Sequence, residues 1–266
     1  MSLIEVAVEA AHKAGKIIEQ SLSATNPSIN ASDRHAVRHK GAVDLVTKVD
    51  LACETVIRDV LGKQTPDIPI LAEEGGGASH ATTRWIVDPL DGTTNFVHGF
   101  PAFAVSIGLQ VNGTLEVGCI YDPLRDHTYT ARRGQGAWCN GQRLAVSQTS
   151  ALSDALLLTG FPYDRTDNAD HYLRYVKMFL EQSQGLRRAG AAALDLAHIA
   201  AGRADGFWEF KLAPWDVAAG VLLVKEAGGT VTDMDLSDID IDRPRILATN
   251  GLIHSQMAQI IAKHLD

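Results

Sequence analysis

The 266-residue chain has 3 cysteines, Cys53, Cys119 and Cys139. An odd set with no Cys-x-x-Cys pair argues against a disulfide framework and suits reduced, buried thiols, so a cytoplasmic location is expected. Excess positive charge is also missing. With 24 Lys and Arg against 32 Asp and Glu, the net charge is -8, which argues against direct attachment to nucleic acid or anionic membranes. Long hydrophobic runs are absent. The longest, around Val217 to Val224, is far too short to cross a bilayer, and Glu5 and Glu9 interrupt the N-terminal stretch. No repeat, no composition break and no Walker A loop occurs. What remains is a globular chain, 45% hydrophobic and 21% charged, long enough for a sizeable core. An anionic ligand would need local capture by cations or backbone dipoles.

Apolar residues Leu3, Ala7, Ala10, Ala14 and Ile17 recur at helical spacing and predict an N-terminal amphipathic helix. A polar loop is expected over Ser23 to His39 and a helix over Leu51 to Leu61. Arg84 to Asp88 reads as a strand entering a turn at Asp-Pro and Asp-Gly pairs. Asn112-Gly113 and Asn140-Gly141 predict two hairpins. Helices are expected over Ala191 to Ala201 and Val217 to Ala227, each stopped by glycine, with a strand at Phe207 to Phe210 between them. Strands and helices alternating among hairpins indicate a layered α/β or α+β architecture with mixed sheets.

The most informative segment runs from Trp85 through Asp88, Pro89, Leu90 and Asp91 to Gly92, Thr93, Thr94, Asn95 and Phe96. Two carboxylates three apart across a rigid turn can converge on one point and supply the oxygen ligands that Mg²⁺ prefers. The amides of Gly92, Thr93 and Thr94 would open a helix N-terminus, a natural phosphate site. In isolation, Asp-Pro and Asp-Gly are ordinary turn residues. Haloacid-dehalogenase-type phosphatases also carry Asp-Gly-Thr, but their nucleophilic Asp would fall at Pro89, so an aspartyl-phosphate is not expected and activated water is the better nucleophile. An EF-hand is excluded by the missing twelfth-position Glu. Glu73 and Glu74 follow the apolar Ile70-Leu71-Ala72, and Asp216 follows Pro214-Trp215. By themselves, these would read as a solvated acidic loop and a helix cap. His35 and His39 read as surface histidines, His98 as a packing or capping residue, Trp215 as a core anchor, and Arg187-Arg188 as a solvated helix start.

In combination, Asp44 to Asp50, Glu73-Glu74, Trp85 to Pro101 and Gly190 to Gly229 resemble, in order, the signature blocks of the inositol monophosphatase family. Departures are mild: Ala72 stands where the family often has Gly. The resemblance implies a layered α-β-α-β-α sandwich with mixed sheets, shared with fructose-1,6-bisphosphatase. It implies one phosphatase unit over 1–266, with a metal-binding part over about 1–145 and a C-terminal part over about 146–266. It also implies a homodimer, lithium sensitivity, and two to three Mg²⁺ ions.

Carried over by position, Glu73, Asp88 and the Leu90 carbonyl would hold a first Mg²⁺, and Asp88, Asp91 and Asp216 a second. A weaker third ion would lean on Glu73. Thr93 and Asp50 would orient or deprotonate the attacking water, so Glu73, Thr93 and Asp50 form the expected catalytic group. Asp91, Gly92, Thr93, Thr94, Gly190, Ala192, Glu209 and Asp216 would bind substrate, with Glu209 on its hydroxyls. Lys40 matches a lysine near the site. The expected substrate is inositol-1-phosphate or a similar small polyol or sugar phosphate. Histidinol phosphate, fructose 1,6-bisphosphate and nucleotide 3'-phosphates are alternatives. Because part of the bacterial branch is linked to transcription complexes, a regulatory binding role is the alternative of another class.

Overall fold

The computed structural model describes residues 1–24, 38–39, 45–46 and 48–263. Lys40, Asp44, His35 and the side chain of His39 lie outside the described residues. The chain opens with α1 (Leu3–Ala24), the short strands β1 (Arg38–His39) and β2 (Leu45–Val46), and α2 (Lys48–Gln64). Then follow β3 (Ile70–Ala72), β4 (Gly76–Gly77), β5 (Arg84–Asp91), α3 (Thr93–His98), β6 (Ala104–Val111), β7 (Thr114–Asp122), β8 (His127–Arg132), β9 (Ala137–Cys139) and β10 (Gln142–Arg143). The last part holds β11 (Leu156–Thr159), α4 (Arg165–Leu180), β12 (Gly185–Arg187), α5 (Ala192–Ala200), β13 (Gly206–Phe210), α6 (Pro214–Glu226), β14 (Thr230–Asp233), β15 (Arg245–Thr249) and α7 (His254–Ile261).

An eight-stranded sheet runs β10-β9-β8-β7-β6-β5-β3-β4, and a five-stranded one β12-β11-β13-β15-β14. Each mixes parallel and antiparallel pairs. The expected hairpins are both present. Asn112 and Gly113 have φ of 51° and 79°, and Asn140 and Gly141 48° and 79°. Positive φ at both central positions gives the turn whose twist matches that of the flanking strands.

Apolar faces stack these elements into layers. On one side of the larger sheet, α1 presents Val6, Ala7, Ala10, Ala14 and Ile18, and α2 adds Cys53, Ile57 and Leu61, to Trp85, Val87, Val105 and Ile107. On its other side lie α5 and α6, whose alanines and leucines also cover the smaller sheet. Tyr172, Tyr175 and Phe179 of α4 and Met257 and Ile261 of α7 close the far face over Trp208, Phe210 and Leu247. The order is therefore α-β-α-β-α, as expected. Close approach of α6 depends on two glycines: a Cβ on Gly108 or Gly118 would sit 2.9 Å or 2.7 Å from Ala218 or Ala219. Buried apolar contact at that depth requires the absence of side chains.

Among the described residues, no helix is long and apolar enough to cross a membrane. Cys53 and Cys119 are buried and free, and Cys139 is half-buried.

Candidate active site

Local backbone geometry decides where the carboxylates point. In a regular strand, residues three apart face opposite sides. Rather than ending at Asp88, β5 continues through Pro89 to Asp91, with a register shift against β6 between Asp88 and Asp91. A bulge is one of the few places where a strand accepts proline. The shift also resets the alternation. Ile86 faces the layer of α5 and α6, whereas Leu90, four residues on, joins the core under α1 and α2. Asp88 and Asp91 consequently both reach the cavity where α5 and α6 begin. The helix expected behind Asp91 begins at Thr93, and its cap, Gly92, takes a left-handed φ of 89°. A Cβ there would lie 2.8 Å from the Ala102 carbonyl oxygen.

Three further elements complete the wall. Strand β3 delivers Glu73, whose amide donates to the Val87 carbonyl at 3.1 Å. Helix α6 begins with Pro214, and Asp216 in its first turn accepts the Ala213 amide at 2.7 Å. The start of α5 points at Asp91, whose Oδ2 accepts the Ala193 amide at 2.8 Å. Glu73, Asp88, Leu90, Asp91, Gly92, Thr93, Thr94, Gly190, Ala192, Glu209 and Asp216 all line one cavity of about 550 Å³. Asp50, fully buried in the first turn of α2, sits behind it and accepts the Thr93 hydroxyl at 2.8 Å, with the Leu90 carbonyl oxygen 3.1 Å from the same hydroxyl.

Electrostatics mark the cavity as strongly acidic. Burial, and then the charges of Glu73, Asp91 and Asp216, push Asp88 well above the ordinary carboxylate range. Burial raises Asp91 to about 7 against the opposing amide of Ala193, and Asp216 to about 7 against the amide of Ala213. Glu209 on β13 is pushed up to about 8, chiefly by burial and secondly by Asp216, with Arg188 opposing. Such displacement in a cleft marks a functional site. Burial and mutual repulsion thus shift each of these carboxylates toward its neutral form. Among the described residues, no three His, Cys, Asp or Glu side chains are already drawn together to hold a metal ion.

Several supporting residues were not singled out from the sequence. Glu54 lies on the buried stripe of α2 and accepts the amides of Glu74 and Gly75 at 2.8 Å and 2.9 Å, shaping the turn after Glu73. A carboxylate on an apolar stripe was the available signal. The Asn95 amide donates to the carbonyls of Ala102 and Ala189 at 2.6 Å and 2.8 Å, tying α3 to the loop before α5. Asp195 is buried in α5 with neither oxygen partnered among the described residues, and burial, then the charges of Glu209 and Asp91, push its pKa well above the ordinary carboxylate range. Arg187 ends β12 and Arg188 follows it, so neither begins a helix.

The sequence pattern of the Inositol monophosphatase family matches residues 1–266. Nus factor SuhB of Pseudomonas aeruginosa is 45% identical over 269 residues, covering 99% of this chain and 97% of the relative. The inositol-1-monophosphatase of Synechocystis is 43% identical over 229 residues, covering 85% of this chain and 80% of the relative. The solved structure of the extragenic suppressor protein suhB from Bartonella henselae superposes with a TM-score of 0.89 at 40% identity, covering 99% of each chain. With the signature carboxylates gathered in one cavity and the family pattern matched over residues 1–266, the chain belongs to the inositol monophosphatase family.

Proposed function

We propose that the protein is a Mg²⁺-dependent phosphomonoesterase that hydrolyses a small polyol or sugar phosphate, such as inositol-1-phosphate, with water as the nucleophile. The observation that carries this reading is the gathering of Glu73, Asp88, Asp91 and Asp216 in one cavity with the start of α3 and Glu209. Oxygen-only donors with raised pKa values fit a hard divalent cation. Glu73, Asp88 and the Leu90 carbonyl would hold one ion, Asp88, Asp91 and Asp216 a second, and Glu73 would support a weaker third. Bound there, Mg²⁺ would lower the pKa of water and screen the charge on phosphorus.

The remaining work falls to the chain itself. The Thr93 hydroxyl, which donates to Asp50, offers its lone pairs to the attacking water, and Asp50 receives the proton passed through Thr93. The amides of Gly92, Thr93 and Thr94 receive phosphate oxygens. Glu209 and the backbone at Gly190 and Ala192 hold substrate hydroxyls. As water's oxygen joins phosphorus, the P–O bond to the sugar breaks, the leaving alkoxide takes a proton from solvent water, and the proton held at Asp50 returns to solvent, so that ester and water give alcohol and phosphate.

Assaying inositol-1-phosphate, histidinol phosphate, fructose 1,6-bisphosphate and adenosine 3',5'-bisphosphate with and without Mg²⁺ tests this reading. Expected are Mg²⁺-dependent phosphate release, inhibition by lithium and no trapped aspartyl-phosphate. Release in chelator or a covalent adduct on Asp91 would refute it. A second reading rests on the 45%-identical relative being a Nus factor: the same fold would also bind a transcription complex. Recovery of transcription proteins by both wild type and Asp88→Asn would support that role, because binding would not need the carboxylate.

A further inference from the structure

Helix α2 carries Asp50, Glu54 and Arg58 at successive four-residue steps, which about 3.6 residues per turn sets nearly in line along one face. Asp50 accepts the Thr93 hydroxyl. One turn further on, Glu54 reaches the turn that carries Glu73. That turn, Glu73 to Gly75, joins β3 to β4, and the antiparallel pair of Ala72 with Gly76 fixes its two ends. Glu54 is 5% exposed, and its carboxylate fills the turn: Oε2 accepts the Glu74 amide at 2.8 Å and Oε1 the Gly75 amide at 2.9 Å. Arg58 braces this carboxylate. Its Nε donates to Glu54 Oε1 at 2.7 Å and its Nη2 to the Gly76 carbonyl at 2.8 Å.

The glycine at position 75 follows from the same geometry. Its φ is not in the left-handed region, so the backbone does not demand glycine there. An added Cβ would instead lie 2.5 Å from Glu54 Oε1 and 2.9 Å from Arg58 Nη2. The carboxylate and its partner leave no room for a side chain. Glu73 is therefore tied on both sides: its own amide donates to the Val87 carbonyl at 3.1 Å, and Glu54 holds the next two amides. Rigidity at this point has a consequence for metal choice. Mg²⁺ demands a near-octahedral set of oxygens at about 2.0–2.1 Å, whereas Ca²⁺ accepts roughly six to eight at about 2.3–2.6 Å in flexible arrangements. A fixed ligand arm favours the smaller ion, and a loose arm gives that advantage away.

We propose that Glu54, braced by Arg58, is a positioning residue that holds Glu73 in place for Mg²⁺ and raises the affinity of the site for Mg²⁺ relative to Ca²⁺. The proposal rests on the phosphatase reading, in which Glu73 is a metal ligand, and adds the element that makes this ligand selective. Glu54 does not line the cavity, so it acts through the turn.

The test is isothermal titration calorimetry of Mg²⁺ and of Ca²⁺ into chelator-treated wild type, Glu54→Gln and Gly75→Ala, without substrate. Glutamine keeps the shape but has one oxygen where two backbone amides need acceptors. Alanine at position 75 displaces the carboxylate and leaves its charge in the protein. In both variants Mg²⁺ should bind about tenfold more weakly, the low end of the roughly 10–100-fold cost of removing a group that orients a metal ligand. Ca²⁺ should weaken by about twofold or less, because it tolerates a looser arm. Equal losses for the two ions in both variants would show general damage and overturn the proposal. A loss confined to Glu54→Gln would show an effect of charge and overturn it too, as would unchanged Mg²⁺ affinity. These outcomes leave the phosphatase reading in place, whereas wild type that binds no Mg²⁺ overturns both. Should Glu54→Gln fail to fold, the ratio in Gly75→Ala decides the matter.

Discussion

Glu209→Gln in metal-free protein is the perturbation whose size follows most directly from the structure. Glu209 is 8% exposed, and its pKa rises from 4.5 to about 8, first through burial and then through Asp216. A carboxyl with a raised folded-state pKa gives its full stability below the unfolded value. That stability is lost as pH rises toward the folded value. Each decade is worth about 1.36 kcal/mol, so carrying the ionised group inside the fold costs on the order of 4–5 kcal/mol by pH 9. Glutamine is isosteric and cannot ionise. At pH 4.5, wild type and variant should melt together. At pH 9 in chelator, the variant should melt higher by roughly 10 °C for a chain of this size. The assay is thermal unfolding by circular dichroism across pH 4.5–9 with EDTA. The same variant in Mg²⁺ should lose about tenfold or more in kcat/KM on a polyol phosphate and far less on an aryl phosphate, which has no hydroxyl for Glu209 to hold. Parallel pH–stability curves for the two proteins would refute the reasoning, and equal losses on both substrates would refute the role.

Further substitutions separate metal, substrate and scaffold. Asp88→Asn removes an oxygen that two ions would share and relieves repulsion from Glu73, Asp91 and Asp216. Without metal it should match or exceed wild-type stability. Wild type should gain about 2.7 kcal/mol when Mg²⁺ reaches 100 times its Kd, and the variant little; parallel Mg²⁺ titrations would defeat the assignment. Gly160→Ala would place a Cβ 2.1 Å from Glu209 Oε2, so KM for a polyol phosphate should rise several-fold while Mg²⁺-dependent stabilisation is retained. Loss of that stabilisation would show that Glu209 and the metal site are one unit. Asn95→Ala leaves the carbonyls of Ala102 and Ala189 without their donor. It should cost about 1–3 kcal/mol in denaturant unfolding and increase hydrogen exchange in the loop before α5; unchanged exchange there would count against its tying role.

Local pattern in the sequence determined a good deal. Helical spacing of Ala7, Ala10 and Ala14 and of Ile57 and Leu61, the Asn-Gly turns, and the glycines ending α5 and α6 depend on interactions within a few residues of one another. Those elements therefore match expectation to within a few positions. The ordered motif blocks carried the family and the cavity-lining residues, because each block keeps its chemistry wherever it is written. What only tertiary structure decided involves groups far apart in the chain. Pairing with β6 extends β5 past Asp88 and introduces the shift that sends Asp88 and Asp91 to the same cavity. Asp91 meets the α5 amide of Ala193, 102 positions away. Glu54 joins the support of the Glu73 turn, Asp195 comes within the electrostatic reach of Glu209 and Asp91, and Arg188 lies beside Phe161. No window of sequence contains such contacts. They arise when the two sheets close on α5 and α6, and the resulting loss of water raises the carboxyl pKa values, an effect of burial that a linear sequence does not encode.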